Sequence, residues 1–399
     1  MKIIHIEDFF HPEAGYQINI LPKYMVKLGH EVIVITSEME KVPDGLTSFF
    51  GKENIEKADK RYEKETGVKI IRLPIKRFLS GRAVFKKVIF TKVEELKPDI
   101  LYVHGNDTLI GIQYILRLKK LKYPLVLDSH MLEMASKNRF SKVFKNLYKL
   151  FVTPIIVENE VKVIRTQDDN YVERYLGIPL SLSPWISVGS DTLLFHPNDK
   201  ERTAFREGNG LSNEDFVIIY TGKLDETKGG KLLATAFSER FKEIKRKIVL
   251  IVVGNSQGDY GREVEEIFMN SKNKILRFPT QKYIDLAKYY QSADLCIFPR
   301  QCSLSFFDAQ ACGLPVVAED NNINKDRLSH MNGKVFKKNS EQDIREKIME
   351  FAVMSKTEIE VYKNNATSFV KENFDYKDIV REYTELLDKE HEKFFRAMR

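Results

Sequence analysis

Lys2-Ile3-Ile4-His5-Ile6, then His11-Pro12-Glu13-Ala14-Gly15, then Ile18, Leu21, Met25 and Leu28, then Glu31-Val32-Ile33-Val34-Ile35-Thr36: this stretch decides the fold. The first run is short and apolar, as a buried strand is. The four spaced apolar residues mark one face of a helix, and Gly29 is placed to cap its end. The run at 31–36 reads as a second strand. Two strands separated by a helix predict parallel pairing.

The same grammar extends outward. Strands are expected at 68–73, 100–104 and 124–127, and again at 216–220, 248–253, 274–278, 295–298 and 315–318. Helical patterns alternate with them, as at 283–291 and 305–312. Two such arrays, joined near 186–215, predict an α/β protein of two doubly wound, Rossmann-like domains facing across a cleft. The expected domains are 1–190, 191–375 and a charged helix at 376–399 that crosses back to the first domain. Ligands of such sheets bind at the carboxyl ends of strands, so the loops there are where chemistry is sought.

Composition fits this reading. Of 399 residues, 43% are hydrophobic and 30% charged, an ordinary globular balance with enough apolar mass for two cores. The three cysteines, Cys296, Cys302 and Cys312, lie in one short stretch. An odd number argues against disulfide pairing, and no fourth ligand stands at zinc spacing, so no metal is expected. Glu7 and Asp8 end the first apolar run too early for a signal peptide. No apolar run approaches the length of a membrane span. A cytoplasmic location is expected, with contact to the inner face of the plasma membrane through the basic region.

That region is distinct. Residues 61–150 hold 20 Lys and Arg against 8 Asp and Glu, whereas residues 191–399 balance at 34 each. The positive field therefore belongs to the first half and predicts an anionic surface or substrate there. Within it, 136–151 alternates basic and bulky apolar residues. On a helix, Phe140, Val143, Phe144, Leu147 and Phe151 share a face flanked by Lys142, Lys145 and Lys149. This is the pattern of an interfacial helix on anionic lipid; a core helix with a solvated basic flank has the same signature. A second basic cluster comprises Lys76, Arg77, Arg82, Lys86 and Lys87.

Two loops in the second half carry phosphate-binding chemistry. Thr221-Gly222-Lys223-Leu224-Asp225-Glu226-Thr227-Lys228-Gly229-Gly230 follows a strand and opens a helix. Lys223 and Lys228 can converge on one anion, with helix N–H groups adding positive potential. A diphosphate suits them. The second loop runs from Phe298-Pro299-Arg300 to Gly313-Leu314-Pro315-Val316-Val317. Ser305 is expected to cap a short helix there, and the amides of 303–307 would form a phosphate cradle. Asp308, in the first turn, is placed to accept hydrogen bonds from a ribose diol or simply to offset the helix dipole.

Together these loops resemble the retaining glycosyltransferases of sequence family 4, which have the GT-B fold. The family's Gly-Arg/Lys-Leu-x-x-x-Lys-Gly is matched by Gly222-Lys223-Leu224 and Lys228-Gly229. The end of its Glu-x7-Glu segment is matched by Asp308-Ala309-Gln310-Ala311-Cys312-Gly313-Leu314-Pro315-Val316-Val317. Gly29-His30-Glu31-Val32, Gly189-Ser190-Asp191 with Phe195-His196-Pro197, and Asn332-Gly333 as a turn extend the likeness along most of the chain.

The resemblance implies roles residue by residue. Lys223 and Lys228 would neutralise the departing diphosphate of a nucleotide-sugar donor, which lowers the barrier directly. Gly222 would shape that turn, and Ser303 and Leu304 would offer amides to the phosphates. Asp308 would bind the ribose, Phe278 would line the base pocket, and Gly15 would let the backbone approach the donor. His130 would stand beside the transferred sugar. No cofactor or metal would be needed. The acceptor would be a glycan or lipid-linked saccharide, as in cell-surface polysaccharide synthesis, with the anomeric configuration retained.

Two departures matter. The first acid of Glu-x7-Glu falls on Arg300, and the second is the shorter Asp308. Arg300 binds the diphosphate beside the lysines, or reads a carboxylate on the donor sugar, or marks a degenerate nucleotide-sugar-binding protein without catalysis. Other classes fit less well. A nicotinamide oxidoreductase would need G-x-G-x-x-G, and only Gly15 follows the first strand. A sugar-nucleotide epimerase or a phosphorylase shares paired Rossmann-like domains and would be separated by assaying release of nucleotide diphosphate. A nucleic-acid partner is not expected, because the basic region carries no recognition module.

Overall fold

The structure, a computed structural model, describes residues 1–43, 54–130, 141–168, 170–242, 244–300 and 304–397. The chain divides into two units: Met1–Val188 with Tyr376–Arg399, and Gly189–Asp375.

The first unit contains β1 (Lys2–Ile6), β2 (Glu31–Ser37), β3 (Lys69–Leu73), β4 (Ile75–Leu79), β5 (Arg82–Phe85), β6 (Ile100–Val103), β7 (Leu125–Ser129) and β8 (Lys162–Arg165). Six form one sheet in the order β3-β2-β1-β6-β7-β8, parallel throughout. β4 and β5 pair as a separate antiparallel hairpin. The second unit contains β9 (Phe216–Thr221), β10 (Ile248–Val253), β11 (Lys274–Phe278), β12 (Leu295–Phe298), β13 (Val316–Glu319) and β14 (Gly333–Phe336). Its order, β11-β10-β9-β12-β13-β14, repeats that of the first sheet, again all parallel.

The central strands read as nearly unbroken apolar runs because helices cover both faces of a parallel sheet. Every residue of β9 and β10 is buried. Each unit has its own apolar core. In both sheets the strand order reverses beside the first strand, between β1 and β6 and between β9 and β12. These are the switch points of two Rossmann-like domains, where loops diverge to opposite faces and leave a crevice.

The last helix, Tyr376–Ala397, belongs to the first unit. Its buried residues Tyr376, Ile379, Val380, Tyr383 and Leu387 recur at helical spacing. Gln17 Nε2 donates to Tyr383 Oη at 2.6 Å, and that hydroxyl donates to the Ile186 carbonyl at 3.0 Å.

Some local expectations need correction. The basic cluster at 76–87 lies on and beside the β4–β5 hairpin; the pattern of β4 hid it, because Lys76 and Arg77 are exposed and Ile75 alone in that strand is buried. The helix expected at 283–291 is a 3-10 turn, Tyr283–Asp285, followed by a helix, Ala287–Ser292. Asn332-Gly333 is not a turn: Gly333 opens β14, and the Asn332 amide is buried against Gln310 at 3.0 Å. Ser305 is the first residue of its helix, not the cap. Leu304 holds the cap position, and the Ser305 hydroxyl bonds the phenol of Tyr290.

Candidate functional site

At the second sheet's switch point, β9 runs into Gly222 and the turn that carries Lys223 and Lys228. Tyr220 Oη donates to the Lys223 carbonyl at 2.6 Å and fixes the turn's first limb. The Asp225 carboxylate accepts from the Lys228 amide at 2.9 Å and closes its second limb. Gly229 then takes the left-handed conformation at φ +76° and starts the helix Gly230–Ala236. Lys223 is exposed and Lys228 half-buried.

The partner loop begins at the end of β12. A Cβ on Gly229 would lie 3.0 Å from Arg300 Cγ and 3.1 Å from Pro299 Cβ, so the two turns touch. Arg300 Nη1 donates to the Glu226 carbonyl at 2.5 Å, and Nη2 to Asn339 Oδ1 at 3.2 Å. Thus Gly222, Lys223, Lys228 and Arg300 are gathered at the carboxyl ends of β9 and β12. Ser303 lies outside the described residues. Leu304 caps the helix Ser305–Ala311, and its carbonyl accepts from the Phe307 amide at 3.0 Å.

Asp308 is placed in the first turn of that helix, as expected, but its carboxyl is buried. Its Oδ1 accepts from Ser190 Oγ at 2.7 Å and from Tyr283 Oη at 3.3 Å. Burial pushes this carboxyl up to about 8, against the lowering effect of those two hydroxyls. Phe278 ends β11 in an aromatic cluster, with ring centroids 5.0 Å from Tyr289 and 5.9 Å from Phe205. Arg277 beside it is committed to Glu265 and to the carbonyls of Val252 and Gly254.

Gly15 and His130 belong to the first unit. Gly15 lies in the loop between β1 and the helix Gln17–Lys27. His130 follows β7 directly and is half-exposed. It ends a buried chain that sequence reading missed. Asp128 Oδ2 accepts from Tyr102 Oη at 2.9 Å, His104 Nδ1 at 2.8 Å and His130 Nε2 at 3.1 Å. Its Oδ1 accepts from the Gly105 amide at 2.7 Å. His104 Nε2 meets His5 Nδ1 at 3.0 Å. Burial alone would raise the Asp128 carboxyl; the charges and hydrogen bonds of His130 and His104 outweigh it and hold it well below the usual range. Burial and neighbouring His104 hold His5 well below the histidine range.

The missed signal was available in the strands. His5 and His104 interrupt apolar runs that are otherwise buried, and a buried polar side chain requires a partner. His104, Asp128 and His130 have the residue types of a metal site, with ligand atoms within 4.8 Å of one another. His104 and His130 both meet the same Asp128 oxygen, Oδ2.

Residues 201–368 match the family described as glycosyl transferases group 1. A curated relative, D-inositol 3-phosphate glycosyltransferase of Segniliparus rotundus, is 28% identical over 54% of this chain and 50% of its own length. This chain spans about half or less of the length of the first curated relatives it matches. A glycosyltransferase of Rickettsia africae superposes with a TM-score of 0.75 at 17% identity, covering 98% of each chain. HepE of Anabaena, solved in complex with UDP-glucose, superposes with a TM-score of 0.74 at 18% identity, covering 98% of this chain and 100% of its own. At such identity the likeness carries the fold, which is of the GT-B class.

Proposed function

We propose that this protein is a retaining glycosyltransferase that takes a sugar from a nucleotide-diphosphate donor and passes it to a glycan or lipid-linked acceptor. The observation that carries the reading is the braced pair of turns at the β9–β12 switch point. There a lysine-bearing turn, a helix start and Arg300 are gathered where a doubly wound sheet takes its ligand. The match of 201–368 to the glycosyl transferases group 1 family supports it.

In this reading Lys223, Lys228 and Arg300 neutralise the leaving diphosphate, and the amides of Ser303 and Leu304 assist. Those positive groups do the work a divalent cation does elsewhere, so no metal is required. Gly222 is assigned close backbone approach and Phe278 the base; in the first unit, Gly15 is assigned backbone approach and His130 a role toward the transferred sugar. Asp308, which faces Ser190, meets the ribose by exchanging that partner for a diol. UDP is the first nucleotide to try, because HepE was solved with UDP-glucose. The work is placed at the cytoplasmic membrane face, in cell-surface polysaccharide synthesis. The helix Ser141–Phe151 supports this, for Val143, Phe144, Leu147, Leu150 and Phe151 are all exposed.

The test is a thermal-shift screen with UDP, GDP, ADP and their sugars, followed by transfer assays with the donor found. Stabilisation by one nucleotide diphosphate, lost in Lys228→Ala, is expected. If none of them raises the melting temperature, the donor assignment fails.

A further inference from the structure

The ring of His130 is held at both nitrogens. Nε2 faces Asp128 Oδ2 at 3.1 Å, and Nδ1 faces Thr166 Oγ1 at 3.2 Å. An ionised carboxylate has no proton to offer, so Nε2 must bring its own. Thr166 has a single hydroxyl proton and two neighbours. Its other contact is the Ser129 carbonyl at 3.0 Å, which also has no proton to offer. That carbonyl also accepts from the Thr166 amide at 3.2 Å; with the hydroxyl proton on the shorter of its two contacts, to Ser129, Nδ1 brings a second proton to the ring.

We propose that Asp128 and Thr166 are positioning residues that hold His130 as a doubly protonated imidazolium with its ring orientation fixed. Both N–H groups are spent on the protein, so the ring acts through charge and placement rather than as a general acid or base.

The rest of the chain fits this accounting. Asp128 is itself fixed by Tyr102, His104 and the Gly105 amide, so it cannot swing away from His130. If His5 donates through Nδ1 to His104, its Nε2 is left as a bare lone pair, and that buried atom has no hydrogen-bond partner. An orphaned acceptor is the cheaper defect than an orphaned N–H. The Tyr102 ring is stacked on His104 at 4.5 Å and lies 6.3 Å from Tyr383 of the C-terminal helix, which backs the cluster.

The charges around the ring come from three strand ends and the hairpin. Asp128 on β7 and Glu7 after β1 favour the cation, and Arg82 on β5 opposes it. Asp8 and Asp107 complete the acidic set, each within 4 Å of Arg82. Desolvation lowers the ring, but Asp128 and Glu7 prevail and its net shift is upward.

The protonation state rests on the Asp128 and Thr166 contacts and the charges around the ring; its catalytic consequence rests on the transferase reading. Nitrogen NMR of the full chain with labelled histidine, with His130 assigned through His130→Gln, reads the first directly. Both ring nitrogens are expected to carry protons at pH 7, with a midpoint above the ordinary histidine value of about 6.5. Thr166→Val strands the Nδ1 proton and should lower the midpoint by about one unit, while Thr166→Ser leaves it in place. A neutral His130 at pH 7, or a midpoint indifferent to Thr166→Val, overturns the proposal even if the wild type transfers sugar. Once a donor is known, kcat should fall on the alkaline side at the same midpoint, and that limb should move with Thr166→Val. If NMR finds the cation and no donor is ever transferred, it is the transferase reading that has failed.

Discussion

Arg300 Nη1 donates to the backbone carbonyl of Glu226, 74 residues earlier, at 2.5 Å. This bond ties the end of β12 to the lysine turn after β9. A guanidinium at this position thus has a structural task besides any contact with substrate. Its second arm reaches Asn339 Oδ1. The guanidinium is accommodated because it finds a carbonyl and an amide oxygen.

Arg300→Ala should therefore weaken nucleotide diphosphate binding by loosening the turn as well as by removing charge. One charge-assisted hydrogen bond contributes about 1.5–3 kcal/mol, so a rise in Kd of roughly ten- to a hundredfold is expected by titration calorimetry. Arg300→Lys should recover part of the charge effect without the forked contact. Equal affinities for wild type and alanine variant would remove Arg300 from the donor site.

Gly254 should tolerate no side chain. It follows β10 at φ +151°, and a Cβ there would stand 1.9 Å from the Gly222 carbonyl oxygen. Backbone cannot yield as a flexible side chain does. Gly254→Ala is expected to cost about 3 kcal/mol or more, read from urea denaturation of the purified chain, and to displace Gly222. Gly258→Ala is the control. It also has positive φ but open space around it, so its cost should stay near 1–2 kcal/mol.

The central strands were legible because full burial leaves long apolar runs, as in β9 and β10; the edge strands β8 and β14, short and carrying a lysine each, were not anticipated. The lysine turn was legible because glycines and lysines cluster at a strand end. What stayed hidden was whatever depends on side chains meeting from distant parts of the chain. Ser190 and Asp308 are 118 residues apart, and His5 and His104 are 99 apart. No local pattern encodes such pairs. β4 was missed for a different reason: a hairpin outside the main sheet exposes its lysine and arginine and loses the apolar signature.

The exposed face of the helix Ser141–Phe151 should partition into anionic bilayers. Tyr148 is turned inward and buried, while five bulky apolar residues face outward. Residues 136–140, which the sequence reading joined to this helix, lie outside the described residues. Lys149 Nζ donates to the Arg174 carbonyl at 3.0 Å, and Lys145 lies 4.2 Å from the Tyr175 ring centre. The helix is thereby anchored to its own unit with its apolar side free to meet lipid. Burying a Leu or Phe side chain is worth about 1.5–3 kcal/mol. Leu147→Asp with Phe151→Asp should thus reduce co-sedimentation with phosphatidylglycerol vesicles by at least tenfold. Among the described residues no helix is long and apolar enough to cross a membrane. No binding to anionic vesicles at low salt would end the membrane assignment.

Asp308 and Asp294 should bend the stability curve of the second unit in opposite directions. Asp308 has its folded pKa raised to about 8 by burial, from an ordinary 3.8. Its neutral form is the one that fits the fold. The associated stability is complete below about pH 4 and is lost as pH climbs towards 8. Asp294 is buried too, but Arg202 and Arg206 meet its two oxygens at 2.5 and 2.8 Å and the Val217 amide donates at 2.8 Å. Burial would raise it; the two arginines prevail and lower it. Its contribution is present above the ordinary carboxylate range and is lost on acidification. Asn at 308 keeps an acceptor for Ser190 and cannot ionise. Asp308→Asn should therefore gain on the wild type by up to about 1.4 kcal/mol per pH unit between pH 5 and 7, measured by urea denaturation in a buffer series. Arg206→Met should instead cost about 3–5 kcal/mol at pH 7 and less as Asp294 becomes protonated. Parallel curves for wild type and Asp308→Asn across pH 5–7 would mean that Asp308 is ionised in the fold, and that its bond with Ser190 stabilises the anion rather than the acid.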